Sequence, residues 1–120
     1  MISAAHKSLW LFLLALALGV SAHAQAKREA NLKTVRGVVL DKSDTPVAAA
    51  VVFLKNSRSN QVKSYISDDQ GNYRFSGLDP NADYEIHAEK DGDKSQTRSI
   101  SSFETRMDIV LNLKLERKKS

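Results

Sequence analysis

Five clusters of turn-forming residues punctuate this chain between residues 42 and 94: KSDTP, NSRSN, DDQGN, DPNAD and DGDK. Asp, Asn, Ser, Gly and Pro each favour chain reversal for their own backbone or side-chain reason. The intervals between clusters are too short for a helix of ordinary length, and none of them shows helical spacing. What fits is short strands. The runs 34–41 (TVRGVVLD), 48–55 (AAAVVFLK), 62–67 (VKSYIS), 73–77 (YRFSG), 83–90 (DYEIHAEK), 95–100 (SQTRSI) and 106–115 (RMDIVLNLKL) are read as seven of them. Strands at this spacing predict an all-β chain, a seven-stranded antiparallel Greek-key β-sandwich.

Alternation assigns the faces, because successive side chains of a strand point to opposite sides. Val35, Val39, Ala50, Val52, Leu54, Tyr73, Phe75, Leu78, Tyr84, Ile86 and Ala88 form the expected core, with Met107, Ile109, Leu111, Leu113 and Leu115 from the last run. Gly71 is expected at positive φ in the DDQGN turn, a conformation that costs glycine little.

The first residues read differently. Lys7 precedes the apolar run LWLFLLALALGV, and SAHAQA follows with Ala22 and Ala24 spaced as a cleavage signal. That order is a secretory signal peptide over residues 1–24. The run is shorter than the roughly 20 apolar residues a membrane-crossing helix needs. The mature chain is therefore expected to be exported, periplasmic or extracellular, with no membrane span. Residues 25–33 read as a polar linker, 34–115 as the folded domain and 116–120 as a basic tail. The chain has no cysteine, so neither disulfides nor thiolate metal sites contribute to it.

A formal net charge of +4 suggests an anionic partner, but the charge is unevenly placed. Between Thr34 and Leu113 ten Lys or Arg face twelve Asp or Glu, a balance of −2. Lys27, Arg28, Lys33, Lys114, Arg117, Lys118 and Lys119 carry the excess at the ends. Nucleic acid is not the expected partner of such a domain.

The ordered set Gly37, Val39, Pro46, Ala50, Val52, Leu54, Asp68, Gly71, Tyr73, Phe75, Leu78 and Tyr84 resembles the signature of the carboxypeptidase regulatory-like family. That family belongs to the prealbumin-like, or carbohydrate-binding-like, β-sandwiches. Asp44 and Ala49 depart from it where glycine is common, and Ala82 replaces a usual glycine before the later tyrosine. The resemblance implies a binding or structural module that accompanies peptidases, receptors and surface proteins.

No catalytic residue, cofactor site or metal site is expected. His87, the only histidine after residue 24, lacks a nucleophile setting, and with Glu85 and Glu89 it reads as a polar outer strand face. Asp79, Asn81 and Asp83 imitate the start of a calcium loop without its central glycine and closing glutamate, while Asp68, Asp69 and Asn72 add oxygens in another turn. Val38, Leu40, Val51 and Phe53 face away from the assigned core on strands read as adjacent; such an apolar outer face marks a protein contact or is covered by a tail or an edge of the same domain. The alternative is a carbohydrate-binding module using Tyr65, since Trp10 leaves with the leader. The expected function is thus an exported, non-enzymatic module that contacts an envelope or secreted protein. Amino-terminal sequencing of the exported chain is expected to begin at Gln25; a product still starting at Met1 would refute the leader.

Overall fold

The structure is a computed structural model that describes residues 31–116. The residues read as a signal peptide, those read as linker up to residue 30, and the last four residues of the chain lie outside them. Nine strands follow in order: β1 (Lys33–Leu40), β2 (Val51–Asn56), β3 (Val62–Ile66), β4 (Asn72–Leu78), β5 (Tyr84–Lys90), β6 (Asp93–Ser95), β7 (Arg98–Ile100), β8 (Asp108–Val110) and β9 (Leu113–Glu116). The described residues are all-β, as their turn spacing dictates.

The strand order is β3-β2-β5-β6-β9-β1-β4, with β7 also on β5 and β8 also on β1. This makes two layers. One is β3, β2, β5 and β7; the other is β4, β1 and β8; the β6–β9 pair joins them. Two of the seven sequence runs are each divided, the sixth at Gln96–Thr97 and the last at Leu111–Asn112. Pairing is antiparallel except where β1 meets β8 and β9, which are parallel to it. Lys33, read as the end of the linker, opens β1 and is buried, its Nζ 3.4 Å from the Ser102 carbonyl. Glu116, read as tail, closes β9.

The core lies between the layers. Every residue assigned to it by alternation is buried, apart from Met107, which is exposed, and Leu111, which is half-buried against the core. Met107 precedes β8; its carbonyl accepts the Thr34 N–H at 2.8 Å, but its side chain lies exposed beyond the end of that strand. Ile100 completes the set from β7.

Where a ladder breaks, a side-chain oxygen takes over. Ser67 Oγ accepts the Ala50 N–H (2.9 Å) and donates to the Val47 carbonyl (2.8 Å), fixing the crossing from β1 to β2. Ser95 Oγ accepts the Ala88 N–H at 2.8 Å, and Asn112 Oδ1 accepts the Val38 N–H at 3.0 Å. Among the described residues no buried side-chain polar atom lacks a partner.

The break at Leu111 has a cause. Tyr73, opposite Gly37 in the β1–β4 ladder, donates its hydroxyl to the Leu111 carbonyl. That carbonyl lies directly over Gly37, where a Cβ would overlap it and would also press on the Tyr73 ring at 3.1 Å. Glycine is required here by close approach. At Asp44 and Ala49, where the family's glycines are absent, φ is 62° and 58°. Non-glycine residues pay about 1–2 kcal/mol for that conformation. Urea unfolding should therefore find Ala49→Gly more stable by about 0.5–1 kcal/mol. Tyr73→Phe should cost ~1–3 kcal/mol for the abandoned carbonyl, and Gly37→Ala ~3 kcal/mol or more. A neutral Gly37→Ala would refute this account of the core.

Candidate functional site

Directly opposed residues of antiparallel strands point to the same side, so register defines each outer face. Across β3, β2 and β5, Val51 lies between Ile66 and Glu89, Phe53 between Ser64 and His87, and Lys55 between Val62 and Glu85. Val52 and Leu54 alternate with these and are buried. The outer face of this layer therefore carries an apolar stripe of Val62, Ile66, Val51 and Phe53. Val62 is 53% exposed and Ile66 65%, while Val51 and Phe53 are half-buried by their neighbours.

The His87 ring stacks on Phe53, with centroids 5.2 Å apart and planes 23° from parallel. His87 Nε2 lies 3.1 Å from Glu89 Oε2, and Lys94 Nζ 3.6 Å from the other oxygen. The hydrogen bond with His87 above all holds the Glu89 carboxyl below its ordinary range; burial opposes it, and the charge of Lys94 adds a lesser lowering. Lys55 and Glu85 form a looser pair at 3.9 Å. Half-exposed pairs like these contribute little to stability, but they set a charged border around the stripe. An open groove of about 320 Å³ continues it, between Ala49, Val51 and Phe53 and the Lys90–Gly92 turn. An apolar centre with a polar rim is the usual anatomy of a protein contact.

The structure does not bring the four partner residues of the sequence reading together. β1 and β2 are not neighbours; they belong to opposite layers. Val51 and Phe53 lie on the face just described. Val38 and Leu40 lie on the other outer face, where Asn72 pairs with Val38 and Lys114 with Leu40. Arg36 and Asp108 form a two-pronged ion pair there, at 3.0 and 3.1 Å. Strand neighbours cannot be read from chain order when the second strand crosses to another layer. Tyr65 opposes the buried Val52 and so turns to the inner side of β3. Its ring meets Phe75 edge-on with centroids 6.0 Å apart, and it is 41% exposed at the open margin of the sandwich. Val62 and Ile66 were missed as surface residues because alternation alone does not say which half of β3 points inward.

The acidic turns are occupied by their own backbone. Asp68 Oδ1 accepts the N–H groups of Asn72 (2.8 Å) and Gln70 (2.9 Å), and the Asn72 bond above all holds its carboxyl below the ordinary value. Asp79 Oδ1 accepts the Asn81 N–H, and Asp83 Oδ1 accepts the Ser102 N–H at 2.6 Å. Among the described residues, no three His, Asp or Glu converge as metal ligands, and no helix is long and apolar enough to cross a membrane.

Fold and surface together define a two-layered β-sandwich of the regulatory type. The sequence pattern of the carboxypeptidase regulatory-like domain matches residues 34–116, and the chain belongs to that family. No curated protein matches it closely in sequence. Among solved structures it is similar to catechol 1,2-dioxygenase from Acinetobacter sp. (16% identity, TM-score 0.56, 72% of this chain and 53% of that one). It is also similar to chlorocatechol 1,2-dioxygenase from Pseudomonas putida (15%, 0.57, 72% and 61%). The major pilin subunit of Bacillus cereus is a third (17%, 0.56, 73% and 31%). The chain thus spans between about a third and three fifths of these proteins, and what it shares with them is the fold.

Proposed function

We propose that this chain is an exported, non-catalytic module that binds another protein of the cell envelope or medium through the outer face of β3, β2 and β5. The observation that carries the reading is the stripe of Val62, Ile66, Val51 and Phe53. Apolar residues gathered on one face and rimmed by ion pairs favour a contact that excludes water. His87 supports the reading by its engagement: it stacks on Phe53 and meets Glu89. The leader-like residues 1–24 support export, and a body balanced at −2 between Thr34 and Leu113 favours a protein surface over a polyanion.

Glycan binding is the alternative, and among the described residues Tyr65 is its only strand aromatic with substantial exposure. One edge-packed ring offers less stacking surface than the stripe offers apolar area. In a capture of envelope proteins and polysaccharides by the exported chain at high salt, where tail charges are screened, one protein should be retained. Phe53→Glu should reduce that capture at least tenfold, the effect of ~1.4 kcal/mol, and Tyr65→Ala should leave it unchanged. Retention of a polysaccharide lost in Tyr65→Ala, with Phe53→Glu silent, would establish the alternative.

A further inference from the structure

The free edge of the same layer carries a separate inference, about backbone groups and not the apolar face. Among the described residues β3 ends the strand order, and all five of its residues are exposed. Its ladder with β2 runs from Val62 to Ile66 without a register shift. At the other end of the order β4 is irregular: its ladder with β1 slips between Lys33 and Val35, and Gly77 takes a φ of 69°. Edges are commonly blunted by bulges, prolines or charges, because unpaired N–H and C=O groups template another strand. β3 has neither bulge nor proline, and Lys63 is its single charge.

The hydrogen-bonding parity of this edge is fixed. Antiparallel pairs alternate between those that exchange both bonds and those that exchange none. The Asn56 N–H binds the Gln61 carbonyl and the Ser67 N–H binds the Ala50 carbonyl. Residues 61, 63, 65 and 67 therefore turn their backbone groups to β2, and Val62, Ser64 and Ile66 turn theirs outward. A second β3 laid antiparallel, with Ser64 opposite Ser64, satisfies all of these groups. The same register sets Val62 against Ile66 on the outer side. On the inner side it sets Lys63 against Tyr65, where the ammonium can lie over the ring.

Charge disfavours two competing arrangements. A two-fold axis at residue 63 would oppose Lys63 to Lys63. Parallel pairing would place the Asp68 and Asp69 turns of both copies side by side. The antiparallel order brings the Arg58 end of one strand to the Asp68 and Asp69 end of the other.

We propose that two copies of this chain pair through β3, antiparallel about Ser64, so that their layers continue as one sheet. The contact is isologous, and each copy offers the same groups. Five strand residues a side fall short of the ~800 Å² per partner of a standard interface, so the dimer is weak and forms with rising concentration. The outer stripes then lie side by side on one continuous face.

Sedimentation of the exported chain should show monomer when dilute and dimer as the concentration approaches about 1 mM. Ser64→Pro removes an outward N–H that β2 does not use, so it should abolish the dimer with the melting temperature unchanged. Arg58→Glu and Asp69→Arg should each weaken dimerisation several-fold, and together restore it. Phe53→Glu should leave it intact, which separates this edge from the partner-binding face. A chain still monomeric near ~1 mM, a dimer that survives in Ser64→Pro or dissolves in Phe53→Glu, or a double charge exchange that fails to restore pairing would each overturn the proposal.

Discussion

The hydroxyl of Tyr73 on the carbonyl of Leu111, with Gly37 beneath, is the contact on which the rest of the sandwich depends. β1 is the hub of its layer, since β4, β8 and β9 all pair with it. Tyr73 reaches across that hub from β4, and its bond is made where the last run of the chain breaks between β8 and β9. Burial pushes the Tyr73 phenol far above its usual range, which favours the protonated, donating form that the Leu111 carbonyl needs. With the Leu111 carbonyl turned to the tyrosine, the ladder has lost the acceptor that would have faced Val38. Asn112 supplies the replacement. Here a glycine, a buried tyrosine and an asparagine solve one local problem together.

The same solution recurs. Ser67 bridges the crossing into β2, Ser95 bridges the passage from β5 to β6, and Asp83 ties the turn at Ser102 to the start of β5. A domain of this size has a small core, with little surplus to cover an unpaired buried amide. Short polar side chains at the breaks remove that cost. They also explain how nine strands can stand where the hydrophobic pattern shows seven runs.

The legible part of the sequence was what depends on neighbours along the chain. Turn clusters marked the reversals, and alternation sorted Val35, Val39, Val52, Leu54, Tyr73, Phe75 and Ile86 into the core. Gly71 sits at a φ of 79°, as its turn required. What depends on neighbours across the sheet was not legible. Nothing in the run 106–115 announces that Tyr73 will divert the Leu111 carbonyl. Val38 and Leu40 share no face with Val51 and Phe53, because β2 starts after a crossing to the second layer. Tyr65 turns inward and Val62 outward through a register that only the pairing with β2 defines. The candidate face was therefore half visible, Phe53 and Val51 from the sequence and Ile66 and Val62 from the fold.

Both the face and the edge proposed for binding rest on β3 being an open, regular border of its layer. Amide hydrogen exchange of the dilute chain tests that most directly. The account predicts an alternating record along β3, with Lys63 and Tyr65 protected by β2 and Val62, Ser64 and Ile66 exchanging freely. Uniform protection of all five in dilute solution would mean that the edge is covered within the chain itself, and would contradict the account.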